Sequence, residues 1–124
     1  MSLIKNYFAA STIAAFRMVQ FSPDANADDG TVVQASGSDA YLLGVTELPV
    51  WAGERVDVTR SGLRSFEFGG TVAPGQPVTA DADGRAIAAA PEAGKNACII
   101  GYAEVHAVEG DIALVLIAPG VIQG

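Results

Sequence analysis

Ala40-Tyr41-Leu42-Leu43-Gly44-Val45-Thr46-Glu47-Leu48-Pro49-Val50-Trp51-Ala52-Gly53-Glu54 is answered later in the chain by Ala97-Cys98-Ile99-Ile100-Gly101-Tyr102-Ala103-Glu104-Val105-His106-Ala107-Val108-Glu109-Gly110-Asp111, at a constant offset of 57 positions. Ala, Gly, Glu and Gly are identical at 40/97, 44/101, 47/104 and 53/110. Leu42/Ile99, Leu43/Ile100, Leu48/Val105 and Glu54/Asp111 keep their character, and Val58/Val115 extend the match. Short glycine-punctuated strands resemble one another by chance, but not at one offset held over fifteen positions, so the chain reads as two versions of one unit. Upstream, Asp29-Gly30-Thr31-Val32-Val33 answers Asp83-Gly84-Arg85-Ala86-Ile87 at a slightly shorter offset. The pseudo-repeats run from about 14–62 and 75–120.

Each unit reads as strand, tight turn, strand, loop, strand. Residues 16–21 alternate apolar and polar at period two, as a half-buried strand must, and 31–35, 41–47 and 55–59 follow. In the second unit the strands are 77–80, 86–89, 98–105 and 112–118, with Asp81-Ala82-Asp83-Gly84 as a hairpin turn whose glycine accepts positive φ. Between the units, 63–68 alternates again before Gly69-Gly70. Frequent turns between short strands predict an all-β fold, a small β-barrel or sandwich with at most two short helices, near 9–15 and 88–94. The run 112–117 has no polar face and is expected to be a central strand buried on both sides. Residues 1–12, outside the repeat, are expected as an extended N-terminal arm.

A chain of 124 residues shares one core, so 1–124 is taken as one domain. Half of it is apolar and 17% charged, too hydrophobic for disorder. Seven Lys and Arg against fourteen Asp and Glu give a net charge of −7, which opposes direct nucleic-acid binding by counterion release. The same acidic exterior keeps many copies soluble together. The apolar stretch at 7–16 imitates a secretion signal but contains Ser11 and Thr12, and the most apolar stretch, 112–122, is broken by Pro119-Gly120 and shorter than the ~20 residues a spanning helix needs. The expectation is a soluble chain with no membrane anchor.

No reactive constellation is apparent. His106 is the single histidine, so a histidine-based triad would have to use it, and its repeat partner Pro49 marks a loop position. Cys98 is the single cysteine; it cannot form an intrachain disulfide, and an apolar setting raises rather than lowers a thiol pKa. One histidine and one distant cysteine give no zinc-ligand spacing. If Gly84 is placed sixth in a calcium loop, Ala90 falls at position twelve, where a bidentate glutamate is required. No Walker motif or dinucleotide fingerprint occurs. The expectation is a non-enzymatic protein with no catalytic residue, cofactor or metal.

Interaction residues are easier to find. Trp51, the single tryptophan, lies in the loop after a strand, and two readings stand for it: a core plug or an interface anchor. Arg55, Arg60 and Arg64 cluster within ten positions of an acidic chain, either as a solvated face or as a contact patch for acidic residues. Leu3, Ile4 and Lys5, with Tyr7 after them, are the contact candidates of the arm.

Taken together, Ile13-Ala14-Ala15-Phe16-Arg17 leading into 29–35, Leu43-Gly44-Val45, Ala52-Gly53-Glu54-Arg55-Val56-Asp57-Val58, the turn-rich 75–84, Ile100-Gly101-Tyr102-Ala103 and the ending from Gly110-Asp111-Ile112 to Pro119-Gly120 resemble the head decoration, or capsid cement, proteins of tailed bacteriophages and prophages. The resemblance spans nearly the whole chain and rests on turn and core features in order, not on a chemical signature. It implies a structural virion protein, made in the host cytoplasm, that joins the outer surface of the expanded capsid and bridges major capsid protein subunits, commonly as a homotrimer. A tail, baseplate or fibre-associated component is the nearer alternative, and a small-ligand-binding β-barrel the more distant one.

Overall fold

Alternating side chains can point to opposite faces only from an extended backbone, and the chain is extended wherever that alternation occurs. The computed structural model describes residues 3–124 and forms ten strands there: β1 (Ile4–Ala9), β2 (Arg17–Phe21), β3 (Thr31–Gln34), β4 (Leu42–Thr46), β5 (Arg55–Thr59), β6 (Gly62–Glu67), β7 (Pro77–Ala80), β8 (Ala86–Ala88), β9 (Asn96–Ala103) and β10 (Ile112–Gln123). The fold is all-β. No helix occurs among the described residues, and the two short helices allowed by sequence are absent. Near 9–15 the backbone groups are already engaged: the Ala10 N–H donates to the Val32 carbonyl and the Ile13 N–H to that of Val50.

The first five strands close into a barrel in the order β1-β3-β2-β4-β5, with β1 antiparallel to β5 and parallel to β3. The last five form a sheet in the order β6-β10-β9-β7-β8. Matched as β1/β6, β2/β7, β3/β8, β4/β9 and β5/β10, the two have the same neighbours, and the parallel bridge Phe68↔Ala86 stands where β1 meets β3 in the first. The repeat is therefore a ten-strand duplication in which each unit begins one strand earlier than the boundaries 14–62 and 75–120. The segment expected as an extended N-terminal arm is a barrel strand: β1 pairs with β5 from Ile4↔Thr59 to Phe8↔Arg55 and supplies two inward residues, Tyr7 and Ala9. Of the expected arm, residues 1 and 2 lie outside the described residues.

Strand parity sorts the core. Tyr7, Ala9, Ile13, Val19, Val32, Leu43, Val56 and Val58 fill the first barrel. Met18, Leu42 and Val45, outward on that barrel, join Phe66, Phe68, Val78, Ile100 and Val115 in a second, larger cluster. All five residues of β4 are buried, so β4 is the strand covered on both faces. The run 112–117, expected in that role, is not: β10 lies between β6 and β9 in the sheet, but its outward side chains Ile112, Leu114 and Leu116 are exposed. Hydrogen-bonding position and burial have separated here, since a mid-sheet strand needs cover on both faces to be buried twice.

The hairpin turn of the second unit fastens it to the first. Arg17 donates through Nη1 to the Asp83 carbonyl (3.0 Å) and pairs through Nη2 with Glu67 Oε2 (3.2 Å), while the Met18 N–H donates to the Gly84 carbonyl (2.9 Å). Gly84 has φ +75° and is packed so closely that an added Cβ would lie 3.0 Å from the Ala35 carbonyl oxygen. Arg17→Ala is expected to cost about 1–2 kcal/mol, the range for hydrogen bonds to a partly buried charge, read as a lowered midpoint in thermal unfolding.

Candidate functional site

The loop from β4 to β5 is built by its own backbone. Val50 and Ile13 exchange N–H···O bonds of 3.0 and 2.9 Å, the Gly53 N–H donates to the Ala9 carbonyl, and Glu54 Oε1 accepts the Trp51 N–H at 2.8 Å. The loop from β9 to β10 repeats this arrangement: Ala107 pairs with Val72, the Gly110 N–H reaches the Phe68 carbonyl, and Asp111 Oδ2 accepts the Val108 N–H at 2.9 Å. The carboxylate shared at 54/111 is thus a loop brace, and the glycine at 53/110, φ +91° in both, turns the chain where a side chain would strain it.

This brace holds Trp51 with 73% of its surface exposed, beside Leu48 at 75%. The core-plug reading is thereby removed. The brace fixes the Trp51 backbone, so the loop presents the indole to water without having to be ordered by a partner, which lowers the cost of binding at this position. Glu54→Ala is expected to leave the fold intact and cost about 1 kcal/mol, the usual value for one such side-chain acceptor, with faster amide exchange confined to the loop.

Next to the loop lies an open groove of about 470 Å³ lined by Ile4, Glu47, Leu48, Arg55, Asp57 and Arg64, among others. Three contact candidates, Ile4, Arg55 and Arg64, therefore meet on one surface. Arg64 pairs with Glu47 (3.6 Å); Arg55 Nε donates to Asn6 Oδ1 (2.6 Å), whose Nδ2 donates to Asp57 Oδ1 (3.0 Å). Leu3, just before β1, is exposed, its N–H on Ser61 Oγ (2.6 Å). Arg60, half-buried, donates to the Tyr7 hydroxyl (3.0 Å), and Lys5 lies 5.7 Å from the centre of the Tyr7 ring. Tyr7 itself is only 2% exposed: it belongs to the barrel interior and offers no surface for contact.

His106 is exposed in the β9–β10 loop, Cys98 is half-buried on β9, and among the described residues no three of His, Cys, Asp and Glu gather at metal-binding distance. Sequence reasoning missed the exposed apolar row on the second unit, Leu63, Leu116 and Tyr102, which are direct register partners across β6, β10 and β9. The signal was present in the alternation of Leu63, Ser65 and Glu67 with the buried Phe66 and Phe68, but the run 112–117 reads as buried when its neighbours are unknown.

No curated protein matches this chain. Among solved structures it is similar to the head fiber gp8.5 N base of bacteriophage phi29, at 22% identity and a TM-score of 0.69 over 95% of each chain; that likeness is one of fold. The model of the phage cement protein family matches residues 9–117, from the end of β1 to the middle of β10 and so across both the barrel and the second sheet. On that match the chain belongs to the phage cement protein family, a family of structural proteins of the bacteriophage head.

Proposed function

We propose that this protein binds the outer surface of the expanded capsid and stabilises it by bridging neighbouring major capsid protein subunits, acting as a homotrimer. The observation that carries the reading is the braced, 73% exposed Trp51 beside a groove lined by Arg55 and Arg64, in a chain of the cement family. Leu3, Ile4 and Lys5 extend that surface at the start of β1. Synthesis in the host cytoplasm and residence on the outside of the head follow from the same reading.

The mechanism is linkage. A protein that binds only the expanded lattice shifts the equilibrium toward it by its differential affinity, about 2.7 kcal/mol per site at a free concentration of 100 Kd, and many sites act in parallel. A charged groove gives orientation and encounter rate, while the indole supplies contact area.

The likeness to a head fibre base favours a second reading, a fibre-associated part, in which the same body seats a longer appendage. Co-sedimentation with expanded heads lacking the protein, and separately with isolated tails, tests the attachment to the head that both readings share. Saturable binding to heads at a fixed ratio to capsid subunits is expected. Binding to tails alone, or to neither, would overturn the proposal.

A further inference from the structure

Register sorts the backbone groups of β5 as it sorts the side chains. The Arg60 N–H donates to the Leu3 carbonyl and the Ala9 N–H to that of Glu54, so residues 54, 56, 58 and 60 turn their N–H and C=O groups toward β1. Arg55, Asp57 and Thr59 turn theirs the other way, toward β4. Thr59 is met there by its register partner Val45. Beyond that pair β4 ends at Thr46, and among the described residues no hydrogen bond reaches the N–H and C=O groups of Arg55 and Asp57. Counting on from Val45↔Thr59, the residue opposite Asp57 is Glu47 and the one opposite Arg55 is Pro49, which has no N–H to give. The second unit closes the same place: Glu104, the counterpart of Glu47, donates its N–H to the carbonyl of Leu114, the counterpart of Asp57, at 3.1 Å. The groove of about 470 Å³ lies along the part of β5 left open, with Glu47, Leu48, Pro49 and Val50 as its other wall.

We propose that this open stretch of β5 takes an extended segment of a neighbouring capsid subunit, added as a short strand between β5 and the β4–β5 loop; this rests on the capsid-binding reading above and names its contact. Free N–H and C=O groups on alternate residues of a strand are what main-chain addition requires, and the hydrogen bonds they make supply the affinity. Outward side chains set the register. Arg55 and Asp57 carry opposite charges two residues apart, each bonded to Asn6 and neither in an ion pair among the described residues. They fit a segment that presents an acidic side chain to Arg55 and a basic one to Asp57. A copy of this chain has no such segment to lend. A strand entering between β5 and the loop wall must come without hydrogen-bonded neighbours of its own, and every described strand has at least one. Both ends of the described chain are tied as well, Leu3 to Ser61 and Gly124 to Lys95.

Amide hydrogen exchange of the wild-type chain, free and bound to expanded heads, tests this at single residues by mass spectrometry with electron-transfer fragmentation. In the free chain the Arg55 and Asp57 amides are expected to exchange fast and those of Val56 and Val58, turned to β1, slowly. On heads the two fast amides are expected to slow at least 10-fold. Binding to heads with both still fast would overturn this inference and leave the proposed function standing; no binding to heads would overturn both. Slowing that grows with concentration in the absence of heads would put a second copy in the groove and overturn the assignment to the capsid. A variant pair gives a second readout. Asp57→Pro removes one of the open N–H donors and no backbone bond of the fold, while Asp57→Ala loses the same carboxylate and keeps the N–H. The proline variant is expected to bind heads about 10-fold more weakly than the alanine variant, the loss of one hydrogen bond that leaves its partner buried and unpaired. Equal affinities would overturn the inference, and if the proline variant fails to fold, the exchange rates of the wild type decide it.

Discussion

Gly44→Ala and Gly101→Ala are each expected to lower stability by about 3 kcal/mol, at the upper end of the cost of overpacking, and to drop the thermal midpoint by about 10 °C. The two glycines are the identical pair at the centre of the repeat, and the structure gives them one reason. A Cβ on Gly44 would overlap the carbonyl oxygen of Thr59 on β5; a Cβ on Gly101 would overlap that of Leu116 on β10, the repeat counterpart of Thr59. In each unit the neighbouring strand crosses so closely that only hydrogen fits. The obstructing atom is backbone, so no rotamer change relieves it and the strand pair itself must part. Gly37→Ala is the control: a Cβ added there would meet nothing within 4 Å and its φ is ordinary, so its midpoint should stay within about 2 °C of wild type. Parallel melts of the three variants check the set. Equal midpoints for Gly44→Ala and Gly37→Ala would remove the close approach as the cause of the repeat.

Trp51→Ala is expected to do the reverse, sparing the fold and removing function. The indole is 73% exposed and its N–H brace to Glu54 is made by backbone, which alanine keeps. The thermal midpoint should therefore move little. Binding to expanded heads should weaken at least 30-fold per site, the loss when a buried aromatic anchor is truncated. Binding isotherms of the wild type and variant on the same heads give the ratio directly. Unchanged affinity would move the capsid contact away from this loop and leave the groove of Ile4, Arg55 and Arg64 as its remaining candidate.

How far the chain could be read in advance depended on whether a feature was local. Strands β2 to β10 were legible within a residue or two at most of their ends, because alternation and turn glycines are local properties. The far end of β10 was not; it runs to Gln123, past a register shift between Ile117 and Gly120. β1 was missed as a strand for a different reason: it matches β6 through Lys5/Arg64 and Tyr7/Phe66 at an offset two longer than the 57 of the central blocks, and shares no identity with it. Burial was the least legible property. Residues 42–46 contain a glycine and a threonine and are wholly buried, whereas 112–117 are wholly apolar and half exposed, because cover depends on which unit packs on which face. Trp51, Arg55 and Arg64 could be singled out by rarity and clustering; that Ile4 joins Arg55 and Arg64 in one groove, and that Tyr7 does not reach the surface, required the barrel to be closed.

A cryo-electron microscopy map of expanded heads saturated with the protein bears on all of this at once. The account predicts added density on the outer surface, each copy astride adjacent capsid subunits, with the Trp51 loop and the Arg55–Arg64 groove against the shell. Heads whose map is unchanged by the protein, or density confined to the tail vertex, would contradict it.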